Sequence, residues 1–287
     1  MRSKRLIFSF ITAISISLSI FFRKLAITKG VQPLTLLIQF IIIESLILSL
    51  NLFVFNRKYL KEIKNIKYYK TKNIFLTGSL FFFGFFLSNL SLKLTSSINY
   101  SFLNKSNVIF IPLLASLFLK EKINKEKISL IVIFITGVYL ITTNAQLIVP
   151  QSGDALVIFA TFLFSIYNIA LKNLGKLFKA EILSWMIALS AAILSLIFSI
   201  IWKINIFSLQ QIELIFLSGL SEALVIIFIN KTIQLTNMTY YVLMIMFSPV
   251  INLILGLIYL NESISFIQII GGIVLIISGI KVQGLKD

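Results

Sequence analysis

The sequence predicts an all-α integral membrane protein, ten transmembrane helices built as two inverted five-helix repeats. Three observations carry that expectation: the hydropathy, the rhythm of the apolar windows and an internal repetition at a fixed offset. Of 287 residues, 58% are hydrophobic and only 13% charged, and mean hydropathy is +1.00. No soluble core has room for that apolar fraction, whereas a bilayer accepts it as surface.

A hydrocarbon core of about 30 Å needs roughly 17–25 residues of helix at 1.5 Å rise each. Ten apolar windows of that kind follow one another: Leu6–Phe22, Pro33–Phe55, Asn73–Leu94, Ser97–Leu119, Lys127–Asn144, Asp154–Lys172, Ile182–Trp202, Ile212–Leu235, Thr239–Leu260 and Ile264–Val282. They are numbered spans 1 to 10 below. Span 1 follows Arg2, Lys4 and Arg5, as a signal peptide would. No small-residue cleavage pattern follows Phe22, so span 1 reads as an uncleaved helix.

Charge orients the chain. With the N-terminus inside, cytoplasmic segments hold 20 of the 26 Lys and Arg residues. External segments hold five: Arg23, Lys24, Lys29, Lys93 and Lys203. The positive-inside rule then places both termini in the cytoplasm, and the expected location is the plasma (inner) membrane of a bacterium. The basic loop Asn56–Lys72 suits an anchor at anionic lipid. Topology and lipid account for the net charge of +16, so the bilayer and not nucleic acid is the expected partner.

The second half repeats the first. At an offset of 141, IFLTGSL (Ile74–Leu80) falls on IFLSGLS (Ile215–Ser221). In the same register Asn89 meets Asn230, Tyr100 meets Tyr241 and Glu121 meets Glu262. Spans 1 and 6 agree at an offset of 149, where Thr12, Ser19 and Arg23 fall on Thr161, Asn168 and Lys172. Each set lies on one helical stripe. The repeat units are residues 1–146 and 147–287. Five spans are an odd number, so the second unit enters the membrane inverted, as in alternating-access carriers.

Polar stripes occur on spans 1, 3, 4, 6, 8 and 9, which are expected to line a central cavity. Spans 5, 7 and 10 are apolar apart from Ser, Thr and Gly. Gly271, Gly272 and Gly279 of span 10 suit close helix packing or a homodimer contact. Span 4 is the least regular. It reads YSFLNKSNVIFIPLLASLFLKE from Tyr100 to Glu121, with Tyr100, Asn104, Asn107 and Ile111 on one face. A polar face inside a bilayer must line a wet cavity or meet protein.

Lys105 costs at least about 2.5 kcal/mol near the bilayer centre. It attracts an anionic or zwitterionic solute, snorkels outward, or pairs structurally with an acid. Glu222 has three readings: binding a substrate amine, pairing with Lys105, or carrying a coupling proton. Glu44, in mid-span 2, has the same options, but span 2 has fewer polar neighbours, and a neutral carboxyl bonded to a neighbouring helix is the favoured reading. Asn89, Asn104, Asn168, Asn230, Tyr100 and Tyr241 complete the candidate substrate-binding set. Pro112 and Pro249 are hinge candidates because each removes a backbone bond. Glu121 and Glu262, at opposite membrane faces, are gating candidates.

The chain has neither Cys nor His. That removes thiolate chemistry, the commonest metal ligand and the commonest general base. No enzyme activity, metal or cofactor is expected. A channel would need a filter motif or a ring of like residues, and none stands out. A non-transporting scaffold or a channel-like protein is the alternative to a carrier.

PVINLILGLIYLNESISFIQIIGGIVLIISG (Pro249–Gly279) has a Pro in span 9, a Glu thirteen residues on, and a Gly-rich span 10. Ile111–Gly137 is its first-half copy, with Glu121 and Gly137 in place, Pro112 one turn late and Val108 at the usual Pro position. Phe159–Asn173 resembles the start of a second repeat. The whole chain resembles an EamA-type permease of the drug/metabolite transporter superfamily. Two positions depart from that pattern: Gln39 stands nearest to the basic residue often found early in span 2, and Glu44 lies mid-span. The resemblance implies export or exchange of small polar organic metabolites such as amino acids or drugs.

Overall fold

The computed structural model describes residues 2–60, 68–119, 125–145, 151–206, 208–235, 245 and 247–284. Among these residues the chain is helical throughout, with no strand. Six helices are long and apolar enough to cross a membrane: Ile7–Thr28, Pro33–Phe55, Thr71–Leu94, Ser152–Leu174, Ala180–Ile201 and Ile212–Leu235. They are spans 1, 2, 3, 6, 7 and 8. Spans 5, 9 and 10 contribute the shorter apolar helices Ile128–Thr143, Ser248–Tyr259 and Phe266–Ser278.

Span 1 continues past Phe22 to Thr28. Two of its hydroxyls bond within their own helix, Thr12 Oγ1 donating to Phe8 O at 2.8 Å and Ser17 Oγ to Ala13 O at 3.0 Å. Polar side chains thereby stay in an apolar span without an orphaned O–H. Span 2 starts on Pro33, whose missing N–H is no loss at the first helical position. Span 4 is broken. A helix Ser97–Leu103 gives way to a 3₁₀ turn Asn104–Ser106, and a second helix runs Asn107–Leu119. The break thus falls on the polar Asn-Lys-Ser run, not at Pro112, which lies inside the second helix. Pro249 sits in the first turn of its described helix, where proline is tolerated.

Packing is symmetric under exchange of the halves. Span 1 packs on span 8 as span 6 packs on span 3, and span 3 meets span 7 as span 8 meets span 2. Gly78 and Gly219, equivalent at the 141 offset, make those last crossings possible. A methyl on Gly78 would lie 2.0 Å from Ser190 Oγ of span 7. One on Gly219 would lie 2.9 Å from Phe40 O of span 2. Spans 5 and 10 cross at Gly137 and Gly271, where a Cβ on Gly137 would lie 2.9 Å from Gly271 O. Gly272 backs onto the ring of Phe102 in span 4. Gly271 and Gly272 therefore serve packing within the chain.

The outer surface is apolar. Phe55, Ile200, Leu209 and Phe266 are each more than three-quarters exposed. In water each would forgo about 1.5–3 kcal/mol of burial, which a lipid surround returns.

Candidate functional site

Six spans meet at a central cavity. It is lined from span 1 by Ile16, Ile20 and Arg23, and from span 4 by Tyr100, Asn104, Lys105 and Asn107. Spans 3, 6, 8 and 9 complete the wall with Phe81, Phe85, Phe164, Tyr167, Asn168, Glu222 and Ile245 among others. These are the six spans whose polar stripes were expected to face inward. The cavity measures about 80 Å³. At roughly 10–15 Å³ per water that is room for a handful of waters.

The halves present equivalent positions to this space with different chemistry. At the 141 offset Glu222 stands opposite Phe81, Ile226 opposite Phe85 and Ile245 opposite Asn104, and all six line the cavity. At the 149 offset Ser19 corresponds to Asn168 and Arg23 to Lys172. One half therefore supplies rings where the other supplies a carboxyl. The site is asymmetric on a symmetric frame.

Arg23 is the residue that sequence reasoning misplaced. Counted as an external loop cation, it is instead 2% exposed, inside a helix that runs one and a half turns further than expected. Its Nη1 donates to Ser88 Oγ at 2.8 Å and Asn89 Oδ1 at 2.9 Å, and its Nε to Ser19 O at 3.2 Å. The guanidinium lies 4.9 Å from the Phe85 ring centre, with Phe40 and Tyr100 at 5.8 and 5.9 Å. Such a planar, ring-stacked fork is a role that Lys does not fill. Its signal was present in the sequence: Arg23 shares a stripe with Thr12 and Ser19. Its repeat counterpart Lys172 is exposed, so the repeat does not carry this role over.

Glu222 faces Arg23 across the cavity. Ser19 Oγ donates to its Oε2 at 2.6 Å, and Arg23 is the positive charge that acts on it. Tyr100 is buried, its hydroxyl 2.6 Å from Ser88 Oγ. Ser19, Glu222, Arg23, Ser88, Asn89 and Tyr100 thus form one connected polar cluster.

Lys105 is 1% exposed and lines the cavity. The 3₁₀ turn carries it, and among the described residues it has no hydrogen-bond or ion-pair partner; no Lys105–Glu222 pair forms. Asn107 Oδ1 and Asn168 Oδ1 line the same space as buried acceptors without a donor among the described residues. A buried polar atom left unpaired costs about 1–3 kcal/mol, so several around one cavity mark a place for water or a solute. Asn104 lines it too, accepting from Thr161 Oγ1 at 3.1 Å.

Two predicted residues are engaged elsewhere. Asn89 holds Arg23 behind the wall. Asn230 donates to Ser184 Oγ at 2.8 Å and Ile226 O at 3.0 Å, joining span 8 to span 7. Neither lines the cavity. Tyr241 and Glu121 lie outside the described residues. Gln39, near the position of a basic residue in the resemblance, donates to Ile206 O and Ser208 O and ties span 2 to the span 7–8 connection.

Glu262 caps span 4. Its carboxylate accepts from Ser97 N at 2.6 Å, Ser97 Oγ at 2.9 Å and Ile98 N at 3.0 Å. A carboxylate at a helix N-terminus satisfies free N–H groups and complements the dipole. Beside it, Lys24 Nζ donates to Leu92 O and Thr95 O at 2.8 and 2.7 Å. Thr95 Oγ1 donates to Asp154 Oδ1 at 2.6 Å. Connections 1–2, 3–4, 5–6 and 9–10 thereby meet in one network at one end of the bundle. At the other end Lys231 pairs with Glu181 at 3.0 Å.

A family profile described as EamA-like transporter family matches residues 3–143 and 151–282. A solved crystal structure aligns over 95% of this chain and 95% of its own, with a TM-score of 0.64 at 15% identity. That likeness speaks to fold alone. No curated protein sequence matches the chain significantly.

Proposed function

The chain belongs to the EamA-like transporter family and is a membrane transporter of the drug/metabolite type, and from that premise we propose a secondary carrier of small polar organic metabolites working by alternating access. Amino acids and drug-like polar solutes are the substrate class. The single observation that carries the proposal is the asymmetric central cavity. It offers the amino group of Lys105, a carboxyl at Glu222, and acceptors at Asn107 and Asn168 that have no donor among the described residues. A solute bearing an anionic group and a hydrogen-bond donor finds partners for both there. Phe81, Phe85, Phe164 and Tyr167 supply apolar walls.

Ten spans in two inverted halves, both termini cytoplasmic, in the inner membrane of a bacterium, are the topology we infer. The exchange-symmetric packing supports it. So does the meeting of connections 1–2, 3–4, 5–6 and 9–10 at one end, because this topology puts all four on the same side. Glu262 on Ser97 and Ile98, with Lys24 on Leu92 and Thr95, is then the external latch. The cavity as it stands is smaller than a metabolite needs. Loading requires the wall to open, and the 3₁₀ turn at Asn104–Ser106 is the irregular point of span 4 where it can give.

Uptake of a metabolite panel into proteoliposomes, with and without a pH gradient, tests the reading. Saturable uptake that falls sharply in Lys105→Ala and in Glu222→Ala is the expected result. If both variants transport like the parent, the site is elsewhere; turnover at channel rates would replace the carrier.

A further inference from the structure

Glu44 has no part in the site described above, yet it is the most anomalous ionisable group in the bundle. It is fully buried in span 2, and neither carboxyl oxygen has a hydrogen-bond partner among the described residues. An ionised carboxylate without donors in a low-dielectric interior is among the costliest arrangements available to a protein. A neutral acid is far cheaper.

Its neighbourhood is set by the glycine crossing. Gly219 lets span 8 lie against Phe40 O and the side chain of Ile43. Glu44 follows Ile43, and Glu222 comes one helical turn after Gly219. The two carboxyls are therefore brought together across the crossing of spans 2 and 8, and Glu222 is the charge that acts on Glu44. The remaining charged groups around span 2 are accounted for. Arg23 of span 1 acts on Glu222 and is held by Ser88 and Asn89. Lys24 is bound to carbonyls at the bundle end. On span 7, Glu181 pairs with Lys231 of span 8 at the opposite end. Glu213 of span 8 and Lys93 of span 3 are exposed. Lys105 of span 4 has no ion-pair partner among the described residues. Among the described residues no cation thus neutralises Glu44 directly.

The geometry points to Glu44 and Glu222 as a two-carboxyl site that binds one exchangeable proton, held on Glu44 behind the cavity wall while Glu222 faces the cavity as the carboxylate. Two carboxyls sharing a buried site do not both ionise. Arg23 and Ser19 stabilise charge on Glu222, and no described residue stabilises it on Glu44, so the proton rests on Glu44. Transfer breaks the Glu44 O–H bond, forms one on Glu222 and moves the negative charge back to Glu44. The site makes the proton the coupling ion of the proposed carrier, and that consequence rests on the transport reading; the proton site itself does not.

Infrared difference spectroscopy of the purified full chain tests the site without any substrate. At a pH where exposed carboxylates are ionised, the parent should show the carbonyl stretch of a protonated carboxyl, and transfer to D₂O should shift it. Glu44→Gln should lose that band; Glu222→Gln should keep it at an altered frequency. If Glu44→Gln does not fold, Glu44→Asp should displace the band. A parent spectrum without the band overturns the proposal, as does a band indifferent to Glu44 substitution or one that D₂O never reaches. Because no transport is measured, a negative result leaves the carrier standing, and a failed uptake assay leaves the proton site standing.

Discussion

Arg23→Ala is the substitution with the largest stability effect to expect outside the apolar packing. The side chain is 2% exposed and bonds to Ser88 and Asn89 on span 3 as well as to its own helix. Each charge-assisted bond is worth about 1.5–3 kcal/mol. Truncation leaves Asn89 Oδ1 buried without a donor and removes the positive charge acting on Glu222. Against this, alanine relieves the cost of keeping a guanidinium out of water. Breaking one side of a buried polar arrangement nets about 3–5 kcal/mol of destabilisation. At roughly 2–4 °C per kcal/mol for chains of 150–250 residues, the melting temperature in detergent should fall by on the order of 10 °C. Trp185 and Trp202 provide the fluorescence readout, since a chain without Cys takes no thiol dye. Arg23→Lys keeps the charge but loses the fork and the ring stacking, and should fall between the two. Adding Glu222→Gln to Arg23→Ala should cost less than the sum of the separate effects, by more than about 1 kcal/mol. Should Arg23→Ala melt within about 2 °C of the parent, the cluster does not hold spans 1 and 3 together and the reasoning fails.

Lys105→Ala should do the reverse. Removing a buried amine that has no partner among the described residues leaves the melting temperature unchanged or higher while transport drops at least tenfold; a matching loss of stability would show a further structural partner. Gly271→Leu places a side chain against the Gly137 carbonyl, and overpacking of about 1–3 kcal/mol should lower the melting temperature of the purified protein by several degrees. Unchanged melting would mean that spans 5 and 10 do not cross there. Glu262→Gln weakens the cap on Ser97 and Ile98 and should loosen the outer latch. With Asn168→Cys as the one thiol in the chain, labelling from the outer side by a membrane-impermeant reagent should speed up, and equal rates would remove Glu262 from the gate.

Hydropathy and periodicity alone determined the helical membrane class, the span order and which six spans turn inward. Those properties are local. A stripe such as Tyr100, Asn104 and Asn107 is written at fixed spacing along one helix, and the repeat shows in pairs such as Asn89 and Asn230. Lys105 and Glu222 were legible as cavity residues for the same reason: charge inside an apolar window announces itself. What each polar group bonds to was not legible, because the partners are far apart in sequence. Arg23 looked like a loop cation since an apolar window ends at Phe22, but the helix continues and Ser88 and Asn89 draw the guanidinium inward. Asn89 and Asn230 looked alike, yet one holds an arginine and the other joins two helices. Glu44 looked most like a hydrogen-bonded acid, and only the Gly219 crossing sets it beside Glu222 with no donor among the described residues. The sequence determines how much polarity each span carries; the crossing of the helices decides which of those groups are paired and which remain for a solute or a proton.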